Sequence, residues 1–350
     1  MKKFEFDVVT IGSATRDAVF KSDAFKIITN PEFVTGKALA MDLGGKIRID
    51  DIFFSTGGAG TNAAVAFARQ NLKTAAVFRI GKDVSGEAIK EEMAKEKVNA
   101  DFIQEDEKLP TAYSVILEHK EGERTILVFR GANENVDEKE IPWTRITTKC
   151  FYLSSLSANL NILQKAIDYK KSAGALIAWN PGGSDLKLGL KTLLYYLKNM
   201  DIFLINQEEA SALLNIPYEK TGSIFKKFNE IIQGLAVMTK GPKGVLVSDG
   251  KNIFEAGVFQ ENKIVDRTGA GDAFGSGFVA GLLNSKNFRR PSSEISEENI
   301  KYAIKLASAN ATSKVENMGA KKGLLTKKGF EKSSRFKNLT IKITPLKNDR

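Results

Sequence analysis

The stretch Asp266-Arg-Thr-Gly-Ala-Gly-Asp-Ala-Phe-Gly-Ser-Gly-Phe-Val-Ala-Gly281 holds residue types suited to phosphate chemistry. Gly269, Ala270 and Gly271 stand immediately before an apolar helical run. Small residues there let successive backbone N–H groups close around an anion, and the helix dipole adds favourable potential. Asp272 would fall in the first turn, beside that anion. A carboxylate repels phosphate, so its useful purpose is to accept the proton of a hydroxyl attacking phosphorus. The position suits a plain helix cap equally well, and from these residues alone both readings stand. Phe274 falls where the third glycine of G-x-G-x-x-G belongs, and G-x-x-x-x-G-K-[ST] is absent, which disfavours a dinucleotide site and excludes a P-loop. A second cluster, Thr56 to Arg69, places Gly57, Gly58, Gly60 and Asn62 at the mouth of an alanine-rich helix. Its glycines allow close backbone approach, and Asn62 offers a donor and an acceptor. By itself it reads as a tight turn packed on a helix.

The elements that must position these groups alternate. Apolar β-type runs at 6–11, 74–80, 151–156, 176–180, 202–206 and 235–239 are interleaved with helical patterns at 61–70, 86–97, 272–283 and 297–313. That rhythm predicts βαβ units and a parallel sheet covered on both faces. Residues 14–56 are long and poorly periodic, and 112–118 with 124–130 read as a β-hairpin carrying His119 exposed at its tip. We expect these two segments to form a small β lid over the carboxyl ends of the strands, where α/β proteins bind ligands. Cys150 should begin a strand as a small core residue. Trp143 and Trp179 should be packing residues, with Trp179 placed to line a cleft beside Asn180.

Composition narrows the class. The 350 residues are 42% hydrophobic and 27% charged, which excludes a disordered or collagen-like chain. One cysteine and one histidine exclude an intrachain disulfide, a cysteine zinc cluster, His-rich metal sites and most Ser-His-Asp schemes. The opening MKKFEFDVVTIG reads as a strand and not a signal peptide. Without an apolar run of the ~20 residues a membrane span needs, a soluble cytoplasmic protein is expected. The net charge of +10 is concentrated at the end, where residues 320–350 hold ten Lys or Arg against Glu331 and Asp349. A basic segment can bind nucleic acid by counterion release. Only Phe330 and Phe336 interleave it, so a solvated segment over 328–350 is the expectation, with nucleic acid not a partner.

Both clusters together resemble the signatures of the ribokinase-like, or phosphofructokinase-B-type, carbohydrate kinases. The family's D-T-x-G-A-G-D is read here as Asp266 to Asp272, and its G-G-x-x-x-N-x-A as Gly57, Gly58, Asn62 and Ala64. Gly81-x-Asp83-x-x-Gly86, Gly131-Ala132-Asn133, Asn180-Pro181, Asn206-x-x-Glu209, Thr239-Lys240-Gly241-x-x-Gly244 and Gly319-Ala320 follow in order. The resemblance implies a three-layer α/β/α kinase domain over 1–327, with a mostly parallel central sheet and a β lid. It implies ATP and Mg²⁺ and a small sugar or a nucleoside as acceptor. Asp272 would be the catalytic base, with Gly269, Ala270 and Gly271 as the anion hole. Asp17, Gly57, Gly58 and Asn62 would hold the acceptor. Asn206 and Glu209 would position Mg²⁺ and phosphate, although their spacing also fits a capping box. Thr239, Gly241, Gly244, Ser308 and Asn310 would line the nucleotide site. Asp266 and Thr268 resemble a monovalent-cation (K⁺) loop of some members, though Arg267 stands where many have a small hydroxyl residue. Lid sheets in this family often pair across a homodimer. A sugar phosphate would need Arg16, Lys21 or Arg130 to offset its charge, whereas a nucleoside would favour aromatics such as Phe20, Phe53 and Phe54.

Overall fold

Val8, Val9, Thr10 and Ile11 are all fully buried, as a strand covered on both faces requires. In the computed structural model, which describes residues 4–33, 36–119, 124–285 and 295–346, they form the middle of β1 (Phe4–Gly12). Next come β2 (Thr15–Lys21), β3 (Lys26–Thr29), β4 (Lys37–Ala40) and β5 (Asp51–Gly57). Then follow α1 (Ala59–Arg69), β6 (Thr74–Val77), β7 (Arg79–Gly81), α2 (Val84–Lys95) and β8 (Gln104–Asp106). A hairpin of β9 (Tyr113–Glu118) and β10 (Arg124–Phe129) precedes β11 (Ile146–Ser154). The alternation resumes with α3 (Leu160–Ala173), β12 (Leu176–Asn180), α4 (Gly183–Leu186), α5 (Gly189–Lys198) and β13 (Ile202–Asn206). After α6 (Gln207–Leu214), α7 (Thr221–Ile231) and β14 (Leu235–Thr239), the chain turns back through β15 (Val245–Ser248) and β16 (Asn252–Ala256). It ends with α8 (Ala270–Asn284), α9 (Glu297–Val315), α10 (Lys327–Lys332) and β17 (Ile341–Pro345).

Nine strands form one sheet in the order β17-β16-β15-β14-β13-β12-β11-β1-β6. The six from β6 to β14 are parallel, and β15, β16 and β17 are antiparallel additions. Alternate side chains divide the core between the two faces. Phe151, Leu153, Ile177 and Trp179 meet α3, α5 and α7 on one side. Cys150, Tyr152, Ala178 and Leu204 meet α1, α8 and α9 on the other. This is the expected α/β/α arrangement. Close approach of α8 to α9 depends on small residues, because a Cβ at Gly281 would lie 2.6 Å from Ala303 Cα. Among the described residues no helix is long and apolar enough to cross a membrane.

The lid is a four-stranded sheet in the order β10-β9-β2-β5, drawn from the two expected segments, with β3 and β4 as a separate hairpin. Several local expectations are corrected. His119 is buried at 8% exposure, because it directly follows β9, an interior lid strand flanked by β2 and β10. Cys150 lies in the middle of β11, not at its start, and burial pushes its thiol far above the ordinary value. The 74–80 run breaks at Phe78 into β6 and β7, which join different sheets. Trp179 lines no cleft: it is fully buried against Phe203.

The segment after 327 is joined to the body instead of lying free. β17 pairs with β16. Phe330 and Phe336 are buried, and Phe336 packs edge-to-face on Phe259 with ring centroids 5.2 Å apart. Its charge is partly spent internally, since Arg335 forks onto Glu316. Phe336→Ala should therefore lower stability by about 3–5 kcal/mol, the usual loss for a buried Phe. Thermal or denaturant unfolding measures this, and an unchanged midpoint would mean that the segment carries no part of the core.

Candidate active site

The carboxyl ends of the central strands are in register: Gly12 pairs with Ser154, Ser154 with Asn180, and Asn206 with Thr239. Side chains after these ends therefore converge along one edge of the sheet, the usual ligand crevice of an α/β fold. Gly269 caps α8 with φ 75°, a left-handed turn that glycine adopts freely, and a Cβ there would also lie 2.9 Å from Ala320 Cβ. The turn points the first amides of α8 into the crevice. Ala270 N–H donates to Arg267 O at 3.2 Å, while Gly271 of the expected anion hole lines the crevice.

Gly271 lines two adjoining clefts. One is walled by Thr239, Gly241, Gly244, Ala270 and Ser308. The other is walled by Asn180, Asn206, Glu209 and Asp272. Of the residues that the resemblance assigned to the nucleotide, Thr239, Gly241, Gly244 and Ser308 line this cleft together, beside Ala270 of the expected anion hole. Asn310 does not join them. It faces α8 and is buried, donating to Ala273 O at 2.7 Å and accepting from Leu325 N at 2.9 Å. Its role is a bracket between helices.

Asp272 accepts a hydrogen bond from Asn62 Nδ2 at 2.7 Å, which ties α8 to α1 across 210 positions. Asn62 Oδ1 is buried without a partner, an acceptor ready for a ligand hydroxyl. Burial lifts the Asp272 carboxyl above its ordinary value, against the Asn62 bond and the Lys321 ammonium. Asp17 behaves alike: burial raises it, while the Thr15 and Ser114 hydroxyls and Lys321 oppose. A Cβ on Gly57 would overlap the Asp17 carboxylate, which explains a glycine at the end of the neighbouring strand. Asn206 and Glu209 form the capping box of α6, with Asn206 Oδ1 accepting from Glu209 N at 2.8 Å and Asn206 N donating to Glu209 Oε2 at 3.1 Å. Burial raises Glu209 as well, and the negative charges of Glu208 and Asp272 add to the effect.

Lys321 was not singled out from the sequence, where it counted only toward the basic end. It is buried, donates to Glu92 Oε2 and Thr56 Oγ1 at 2.6 Å each, and acts electrostatically on both Asp17 and Asp272. Its signal was position: it directly follows Gly319-Ala320. The oxygens of the Asp266 loop do not fit a free cation. Asp266 Oδ1 accepts from Arg124 at 2.6 Å and Thr268 N at 2.8 Å, and Oδ2 from Gly319 N at 2.9 Å. The buried Lys314 Nζ lies 2.6 Å from Asp266 O. Against the burial that opposes them, Thr268, Lys314 and Arg124 hold the Asp266 carboxyl down to about 2.

Comparison with known proteins agrees with this geometry. The family described as pfkB family carbohydrate kinase matches residues 5–327. A ribokinase of Haemophilus influenzae is 29% identical over 277 residues, covering 77% of this chain and 84% of that protein. The structure of Arabidopsis thaliana ribokinase complexed with ribose and ATP superposes with a TM-score of 0.73 at 21% identity, covering 94% and 97% of the two chains. The adenosine kinase of Sinorhizobium meliloti superposes with a TM-score of 0.72 at 20% identity, covering 92% and 97%. With its two signatures folded around one crevice, the chain belongs to the pfkB family and is an ATP-dependent carbohydrate kinase.

Proposed function

We propose that the chain transfers the γ-phosphoryl group of ATP to a hydroxyl of a small free sugar, a pentose or hexose. The carrying observation is Gly271, which opens onto both clefts, with Asp272 beside it on one side only. ATP would occupy the Thr239–Gly244 and Ser308 side, and its terminal phosphate would reach the amide end of α8. The acceptor would lie on Asp17, Gly57, Gly58 and Asn62, its reacting hydroxyl next to Asp272. Asp272 accepts the hydroxyl proton as the oxygen attacks phosphorus, and the α8 amides hold the charge on the transferring group. Mg²⁺ suits the Glu209 side, where Glu209 and Asp272 share a cleft and the Asp272 charge helps raise the Glu209 carboxyl. Among the described residues there is no cluster of three metal-ligating side chains, consistent with an ion that binds through water, phosphate and one or two carboxylates. When bound it neutralises phosphate charge.

Three cations were candidates for a phosphate on the sugar, and each has a partner. Lys21 pairs with Glu118 at 2.8 Å, Arg130 with Glu134 at 4.0 Å, and Arg16 lies 5.5 Å over the Phe54 ring. This supports an uncharged acceptor. A nucleoside is the second reading, because Phe53 on β5 lies against Gly319 and offers a ring beside the crevice. A homodimer through the lid belongs to the proposal: Ile126, Leu127, Val128 and Phe129 of β10 are all exposed on its edge strand.

Asp272→Asn should lower kcat by roughly 10²–10⁴-fold with little change in unfolding midpoint; near wild-type turnover would remove the base assignment. Because Asp272 works ionised and its carboxyl is raised, kcat/KM should fall as pH drops through a value above the ordinary carboxylate range. Lys321→Met, which removes a charge that lowers Asp272, should move this acid limb to higher pH; an unmoved limb would break the link. Asp17→Ala should cost kcat/KM at about 1.5–3 kcal/mol per lost charge-assisted bond, with ATP affinity nearly unchanged. A screen of free sugars, sugar phosphates and nucleosides by ADP release decides the acceptor, and a preference for a nucleoside would move the assignment to the second reading. Leu127→Lys on the lid should convert a dimer to a monomer in light scattering, whereas a wild-type monomer would dismiss the lid interface.

A further inference from the structure

Lys314 is in the last turn of α9, and its side chain is wholly buried. A buried ammonium is costly unless every proton finds an acceptor. Here Nζ lies 2.6 Å from Asp266 O, 3.3 Å from Asn317 O and 3.6 Å from Asp266 Oδ2. Two carbonyl oxygens and one carboxylate oxygen are the donors that a hard monovalent cation takes. The ammonium is close to potassium in size and equal in charge, and it already holds this position.

The surroundings show what that position controls. Val265 N and Asp266 N both donate to Val315 O, at 2.8 and 3.1 Å. Gly319 N donates to Asp266 Oδ2, and Thr268 N to Oδ1. Lys314 therefore sits where three pieces meet: the end of α9, the turn leading to the amides of α8, and the 317–319 turn leading to Lys321. Without a positive charge the Asp266 carboxylate would face the carbonyls of Asp266 and Asn317 with only Arg124, an exposed residue, to balance them.

We infer that Lys314 is a positioning residue that serves as a tethered monovalent cation, making this kinase independent of K⁺. The ammonium fixes the 266–271 turn permanently, so a soluble ion adds nothing. The inference rests on the fold and on family membership, not on which acceptor is phosphorylated.

The test uses the full chain in potassium chloride, ammonium chloride and choline chloride at equal ionic strength. It reads the unfolding midpoint without substrate, and ADP release with the preferred acceptor. Wild type should give the same midpoint and turnover in all three salts. Lys314→Ala should lose roughly 10–10²-fold in turnover through misplacement of the α8 turn. Potassium or ammonium should restore its midpoint and much of its turnover by binding the vacated oxygens, while choline should not. Lys314→Ser, which also vacates these oxygens and adds a small polar group, serves if the alanine variant does not fold and should show the same salt preference. Activation or stabilisation of wild type by potassium over choline would overturn the inference. Variants that lose turnover and gain nothing from potassium or ammonium would also overturn it, marking Lys314 as a packing residue. A wrong acceptor would leave the midpoint measurements untouched, which separates the two failures.

Discussion

The hydrogen bond from Asn62 to Asp272 is the contact on which the site turns. A carboxylate placed at an anion-binding helix end is repelled by the ligand it serves and desolvated by the walls around it. Left alone it would take up a proton and lose its use as a base. Asn62 offsets this with one directed bond to the ionised form, and Lys321 with a charge at the side of the crevice. Both supports come from elements distant in sequence. The geometry of the sheet, which brings α1 and α8 onto the same face, is therefore a condition for the chemistry.

Positive charge is placed inside this molecule with unusual economy. Lys321 serves Glu92 and Thr56 while acting on Asp17 and Asp272. Lys314 serves carbonyl oxygens and Asp266. The two are seven positions apart, on either side of the turn that carries Gly319 and Ala320. In a chain of net charge +10 they are indistinguishable by composition from the lysines on the surface. What separates them is burial, and burial here follows from close packing of α9 and the succeeding turn on α8.

Much of the architecture was legible because the parallel strands are apolar on both faces. β12, β13 and β14 begin and end where their apolar runs do. Antiparallel β15, β16 and β17 were less legible: β15 is a run of only four residues, and the edge strand β17 mixes polar and apolar residues. The glycine signatures marked the crevice, because backbone approach leaves a residue-type trace that spacing preserves. Asn310 was misplaced because an asparagine beside a nucleotide and one bridging two helices look alike in one dimension. Lys314 and Arg124 left no trace at all, and Lys321 only its place after Gly319-Ala320: their meaning lies in partners 48, 142 and 229 positions away.

The end of α1 has one further consequence. Arg69 donates to Lys321 O and Leu324 O, and Gln70 donates to Leu325 O. Residues near the beginning of the chain thus close onto residues near its end, across more than 250 positions. Contacts of such separation form late, after the entropy of a very long loop has been overcome. During synthesis the strands from β1 to β14 can assemble in turn as they leave the ribosome. The crevice stays without its α9 wall and its buried lysines until residues 310–325 emerge. A nascent chain that has not reached these residues lacks part of the site, so competence to turn over ATP waits on the synthesis of residues 310–325.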